Sequence, residues 1–134
     1  LSAPAFAQTN IINTTPTGSG TENNVVLGVG AGTGGQNNVL VGRQAGQSNT
    51  TGIQNVMVGS GTGQKNTTGA NNVFVGSSAG ANSVEGSDNI FIGSQSGVFG
   101  NAGSRNVFVG GSTGFYNSNG SENVFAGYAA GVLN

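Results

Sequence analysis

The chain has 134 residues, of which three are basic, four are acidic and none is cysteine or histidine. So few cations cannot neutralise a track of phosphates, which excludes a nucleic-acid partner, and no apolar run reaches the roughly 18–20 residues that span a bilayer. The lack of cysteine excludes a disulfide framework, a cysteine-based metal site and a thiol nucleophile.

The first predicted segment covers residues 1–20, whose composition differs from the rest of the chain. The small-x-small sequence AFA at residues 5–7 is typical of the end of a secretory signal peptide. We interpret residues 1–7 as a signal remnant, with an ordinary Ala/Pro-rich leader as the alternative. The stretch that follows predicts an extended strand that includes Ile11 and Ile12. This strand either folds back onto its own first coil or inserts into a neighbouring subunit by β-augmentation.

A sequence repeat fills residues 21–134, which we predict to be a single solenoid domain. Its unit is Asn, three apolar residues and Gly, and every copy has a second glycine four residues after the first. A 14-residue step separates the first two copies, and 17-residue steps separate the others. Clustered apolar residues and abundant glycine disfavour helices and are typical of short strands joined by tight turns. We therefore predict an all-β parallel β-solenoid (β-roll) of about seven coils with a 17-residue repeat, preceded by an extended N-terminal segment.

The asparagine that opens each unit is present in every copy. Stacked on successive coils, these side chains would form an amide ladder along the solenoid axis. The alternative is that asparagine is used because it tolerates a turn conformation. The column immediately before it varies, and its last members, Asp88, Arg105 and Glu122, alternate in charge, which predicts ion pairs between coils. The predicted ladder comprises Asn24, Asn38, Asn55, Asn72, Asn89, Asn106 and Asn123.

The three apolar residues of each strand point alternately to two sides. One side would fill the narrow interior of the coil, and the other would leave an apolar stripe that requires a partner surface. The pattern leaves open which side faces inward, so we assign the middle residues either to core packing or to a subunit interface. These residues are Val26, Leu40, Met57, Phe74, Phe91, Phe108 and Phe125.

Side chains that support catalysis are scarce in this sequence. Acid–base catalysis needs paired groups with tuned pKa values, and the abundant Ser and Thr residues have no evident base to activate them. We predict that the protein is not an enzyme and has no cofactor, no metal site and no catalytic residues. Four aromatic residues outside the repeat columns are interpreted as packing beneath a turn loop, with an adhesive surface role as the alternative. They are Phe99, Phe115, Tyr116 and Tyr128.

Four segments of the repeat, NNVLVGRQAG, NNVFVGSSAG, DNIFIGSQSG and RNVFVGGSTG, resemble the head repeat of YadA-like trimeric autotransporter adhesins and related repeats of bacterial and phage tail fibres. The resemblance covers about Asn23 to Gly131. It implies a left-handed parallel β-roll that trimerises through apolar strand faces and attaches to surfaces. The sequence departs from that pattern, because only the 14-residue first step matches the family, and the longer steps carry inserts such as SNTTG and KNTTG.

These observations predict a non-enzymatic structural subunit of a self-assembling extracellular fibre on a bacterial cell surface. Its partner is the chain itself, as a homotrimer, as an end-to-end homopolymer in which residues 1–20 reach the next subunit, or as both. The alternative is an excised trimeric adhesin head that binds host or matrix surfaces. Ice binding is a minor alternative, because it requires regular threonine columns and only the pairs at 50–51 and 67–68 align.

Overall fold

The computed structural model describes residues 12–13, 23–100 and 103–133, and these residues form eight short strands. All eight belong to one sheet, in chain order. The first two strands pair antiparallel, and every later pair is parallel. The predicted all-β parallel solenoid is therefore confirmed. The strands are β1 (Ile12–Asn13), β2 (Val25–Leu27), β3 (Val39–Val41), β4 (Val56–Val58), β5 (Val73–Val75), β6 (Ile90–Ile92), β7 (Val107–Val109) and β8 (Val124–Ala126).

The short first coil and the longer later coils share one register. Val25 pairs with Val39 across the short step, and Val39 pairs with Val56 across the first long step. Gly32 lies against the carbonyl of Gly46, and Gly35 lies against that of Gly52. Two residues separate Gly32 from Gly35 and five separate Gly46 from Gly52, so the three additional residues form a loop at 47–51. The insert therefore lengthens one corner of the coil and leaves the sheet unchanged.

The core is a single file of side chains, one from the middle of each strand from β2 to β8. Phe74, Phe91 and Phe108 are fully buried, with ring centroids 4.9 and 4.8 Å apart and interplanar angles of 11° and 5°. Strands in a sheet lie about 4.8 Å apart, so the rings stack at the spacing that the backbone imposes. Burying each large apolar side chain contributes about 1.5–3 kcal/mol to stability.

The second glycine of each unit faces this file from the opposite side of the coil. Gly97 has φ of +60°, and a Cβ added to it would lie 2.5 Å from the ring of Phe91. The ring thus occupies the volume that any side chain at this position would need. The residue just before this glycine is also small and buried, as at Ala79 and Thr113. The coil is consequently one side chain thick.

We predict that Gly97→Ala lowers the free energy of unfolding by about 2–4 kcal/mol, because it combines left-handed backbone strain with a collision with Phe91. The matched control is Gly61→Ala. Gly61 has φ of +64°, but its added Cβ would lie 3.6 Å from the nearest atom, Ser78 Oγ. This control should cost only about 1–2 kcal/mol, from strain alone. Urea unfolding followed by circular dichroism measures both, and equal losses would contradict the single-file core.

Candidate functional site

The first and third residues of each strand form an exposed apolar surface, which we call the outer face. On β5, Phe74 is buried while Val73 and Val75 are half-buried, and on β6, Ile90 and Ile92 are 38% and 40% exposed. The predicted stripe of middle residues therefore packs the core and is not available as a subunit interface. On the last described strand, Phe125 is half-buried. The outer face comprises Val25, Leu27, Val39, Val41, Val56, Val58, Val73, Val75, Ile90, Ile92, Val107, Val109, Val124 and Ala126.

The outer face is flat, repetitive and almost uncharged. Strand spacings of about 4.8 Å and residue rises of about 3.3 Å give the three-residue strands a surface of about 29 Å by 10 Å. Exposed Arg43 and Tyr128 stand in the flanking column after the strands, which on the middle coils contains exposed serines, at Ser60, Ser77 and Ser94. These small side chains leave the valine and isoleucine side chains accessible to a second flat surface.

The column before the asparagines contributes three of the charges at the rim of the outer face. Arg105 Nη2 lies 2.8 Å from Glu122 Oε1, and both side chains are more than half exposed, so the pair adds little stability. It is the one ion pair within the described part of the chain, so the pairing of Asp88 with Arg105 expected from the charge alternation is not formed.

The asparagine that opens each unit lies inside the coil, and its amide bonds to the next coil. The backbone N–H of Asn72 donates to Asn55 Oδ1 at 2.9 Å, and that of Asn89 donates to Asn72 Oδ1 at 3.0 Å. The Nδ2 group of Asn72 donates to the carbonyl of Gly86 at 2.8 Å. The same oxygen-to-backbone bond joins all seven asparagines, from Asn24 to Asn123.

This geometry refines the ladder predicted from the sequence. The amide oxygen accepts mainly from the backbone of the next coil, and direct contacts between side-chain amides occur where Asn106 donates to Asn89 and Asn123 to Asn106. The alternative, that asparagine is used because it tolerates a turn conformation, does not apply here. The positive φ falls on the residue before the asparagine, as at Asn71 and Asp88. The asparagine column is structural and fixes the position of every strand on the outer face.

A second asparagine column in the inserted loop was missed by the sequence analysis. Asn49 Oδ1 accepts the backbone N–H of Gly52 at 3.0 Å, and Asn49 Nδ2 donates to the carbonyl of Gly34 at 2.9 Å. Asn117 closes the same loop on a later coil by accepting from Gly120 at 2.8 Å. The recurring Asn-x-x-Gly spacing, one coil or a multiple of it apart, is the signal that could have revealed this column.

Three of the four aromatic residues outside the repeat columns cluster on the loop side of the solenoid, whereas Tyr128 lies beside Gly111 in the column that follows the strands. Phe99 and Tyr116 stack with ring centroids 5.4 Å apart, and Phe115 contacts both rings edge-on. Tyr116 and Tyr128 are 53% and 85% exposed, so the expectation that they pack beneath the loop is wrong. Phe99 is 39% exposed.

The extended N-terminal strand is partly described. Ile12 pairs with Leu27 and Asn13 with Val26, antiparallel, so in this single chain the strand folds back onto the first coil. Ile11 and the signal remnant predicted at residues 1–7 lie outside the described residues. Insertion of the strand into a neighbouring subunit stays a prediction.

Comparison with protein-family models, with curated proteins and with solved structures finds no significant match to this chain. The described residues include no helix that has the length and hydropathy for crossing a membrane. Within the same residues, no three acidic, histidine or cysteine side chains come together as metal ligands would. The functional interpretation therefore rests on the geometry of the described residues, and the outer face is the most extended surface feature among them.

We predict that Asn72→Leu lowers the free energy of unfolding by about 2–5 kcal/mol, because it leaves the buried N–H of Asn89 and carbonyl of Gly86 without partners. The control is Asn71→Asp at the exposed neighbouring position, where φ is +57° and the next coil already carries Asp88. This control should change stability by no more than about 0.5 kcal/mol. Chemical denaturation of both variants provides the comparison. A leucine variant as stable as the wild type would show that the ladder is dispensable.

Proposed function

We propose that the protein is a non-enzymatic structural subunit that self-associates through the outer face. The observation that carries this proposal is the continuous apolar surface on seven successive strands, with Val25, Ile90 and Val109 at 47%, 38% and 42% exposure. Soluble monomers rarely expose contiguous apolar patches larger than a few hundred Å². A partner that covers this surface would remove the largest unfavourable contact with water that the strands make.

A second copy of the chain suits this surface better than an unrelated partner. The outer face repeats at the spacing of one strand, so the outer face of a second solenoid can match it strand by strand. Its near lack of charge offers no steering toward an acidic or basic ligand. With a projected area of about 300 Å², the apolar strands supply less than half of the roughly 800 Å² per partner of a standard stable interface. Contacts at the face's flanks would supply the remainder.

The bacterial surface fibre is the setting that we propose for this association. The repeat resembles YadA-like adhesin heads, which supports trimers built on apolar strand faces and a location outside the cell. The alternative of an excised adhesin head that binds host or matrix surfaces requires the same association. Exposed Phe99 and Tyr116 provide an adhesive surface that would favour it. End-to-end growth adds a role for residues 1–20 in reaching the next subunit.

Ice binding receives no support from the threonine geometry. Thr50 Oγ1 donates to the carbonyl of Thr67 at 3.0 Å, and Thr67 Oγ1 donates to that of Val84 at 3.2 Å. These hydroxyls bond within the protein and do not form a regular outward array.

We predict that the triple variant Val58→Lys, Val75→Lys and Ile92→Lys is a folded monomer, because it places three charges on the outer face. The control adds the same number of lysines to exposed loop positions, at Ser48, Thr51 and Thr68. Light scattering should show oligomers for the wild type and the control and monomers for the outer-face variant, with matching circular dichroism spectra. A wild type that stays monomeric at its highest soluble concentration would refute self-association.

Electron microscopy separates the fibre from the discrete head. If residues 1–20 join subunits end to end, the wild type forms long filaments that disappear when these residues are deleted, while lateral oligomers persist in light scattering. Discrete particles of three chains, unchanged by the deletion, would contradict the filament and leave the adhesin head.

A further inference from the structure

A column of buried polar side chains runs through the inserted loops, one position per coil. Asn66 and Ser83 have no measurable exposure, and Asn117 is 2% exposed. Three of their polar atoms, Asn66 Oδ1, Ser83 Oγ and Asn117 Nδ2, have no hydrogen-bond partner among the described residues. Buried polar groups are rarely left unpaired, and three on one column point to a common partner. The column is Asn49, Asn66, Ser83, Gly100 and Asn117.

The unpaired atoms lie on or next to the coils in which the column's side chain is shorter than asparagine. At Asn49, where the column begins, the amide bonds to both Gly34 and Gly52. The sequence then shortens the side chain to serine and finally to Gly100. A Cβ added at Gly100 would lie 3.4 Å from the nearest atom, the carbonyl oxygen of Gly97, which is an ordinary contact. Gly100 is thus unlike Gly97 and Gly103, where an added Cβ would collide with a ring or with backbone.

We propose that this column binds ordered water, centred on Gly100 and shared by Ser83 and Asn117. Those two residues are two coils apart, about 10 Å along the axis, which is too far for a direct hydrogen bond. A chain of ordered waters spans such a gap: water beside Gly100 accepts from Asn117 Nδ2, and water linked to it exchanges a hydrogen bond with Ser83 Oγ. No charged residue belongs to the column, so a small neutral ligand such as water is the suitable occupant.

The water-filled column has a role in the fold of the longer coils. It supplies the loop with hydrogen bonds that the first, 14-residue coil does not need, because that coil lacks the insert. It also allows Ser83 and Gly100 to replace asparagine without breaking the stack. This inference is independent of self-association, since the column lies inside the loop and away from the outer face.

The test compares Ser83→Ala with Ser60→Ala, an exposed serine that serves as the control. If Ser83 Oγ bonds to water, removing it weakens the folding equilibrium about threefold to tenfold, whereas the control is neutral. If Ser83 Oγ is unpaired in a dry column, removing it leaves the equilibrium unchanged or strengthens it, which would overturn the proposal. Urea unfolding distinguishes the two results.

A crystal structure at high resolution provides the direct readout. It should show ordered density within hydrogen-bond distance of Ser83 Oγ and Asn117 Nδ2, and Gly100→Asn should displace that density with a side-chain amide. Gly103→Asn is the matched control, because its Cβ would collide with the carbonyl of Gly120 and should lower the free energy of unfolding where Gly100→Asn does not. A wild-type column with no density beside Ser83 and Asn117 would contradict the inference.

Discussion

The structure depends on one hydrogen bond that is repeated from coil to coil, from the backbone N–H of one asparagine to the side-chain oxygen of the asparagine before it. Between the inner coils the bond is buried, so losing it leaves unpaired polar groups in a low-dielectric interior. It also fixes register, because a strand that slipped by one residue would replace the amide with an apolar side chain. The phenylalanine stack and the flat outer face both follow from this register.

The repeat in the sequence was sufficient to predict the fold. The spacing of asparagine, apolar triplet and glycine identified each coil, and the middle and flanking residues were correctly separated onto two sides. The insert length was visible as well, since 17-residue steps follow a 14-residue step. These features are predictable because each depends on contacts between equivalent positions of neighbouring coils, which a repeat makes explicit.

The inward face of the strand could not be chosen from alternation, because both sides are apolar. It is decided by packing against the opposite arm, where Gly80 and Gly97 leave room for one large ring and for nothing more. The left-handed residues were also missed. Gln95 and Arg105 have φ of +59°, yet neither residue type indicates a positive φ. Their conformation is imposed by the coil, so tertiary structure overrides local preference there.

The candidate site follows from the same repetition. A surface that presents valine or isoleucine on one strand presents an equivalent residue on the next, so the apolar area grows with every coil. Within the described residues the ionisable groups are few and do not cluster, whereas the outer face is an extended apolar surface. Self-association through it is therefore the function that we propose.

Cross-linking tests this central claim most directly, because the chain has no cysteine of its own. A single Val75→Cys substitution places a thiol in the middle of the outer face, and Thr68→Cys places one on an exposed loop of a neighbouring coil. Oxidation at low protein concentration should join chains through the outer-face thiol and leave the loop variant monomeric on a non-reducing gel. Equal cross-linking of both variants, or of neither, would contradict self-association through the outer face.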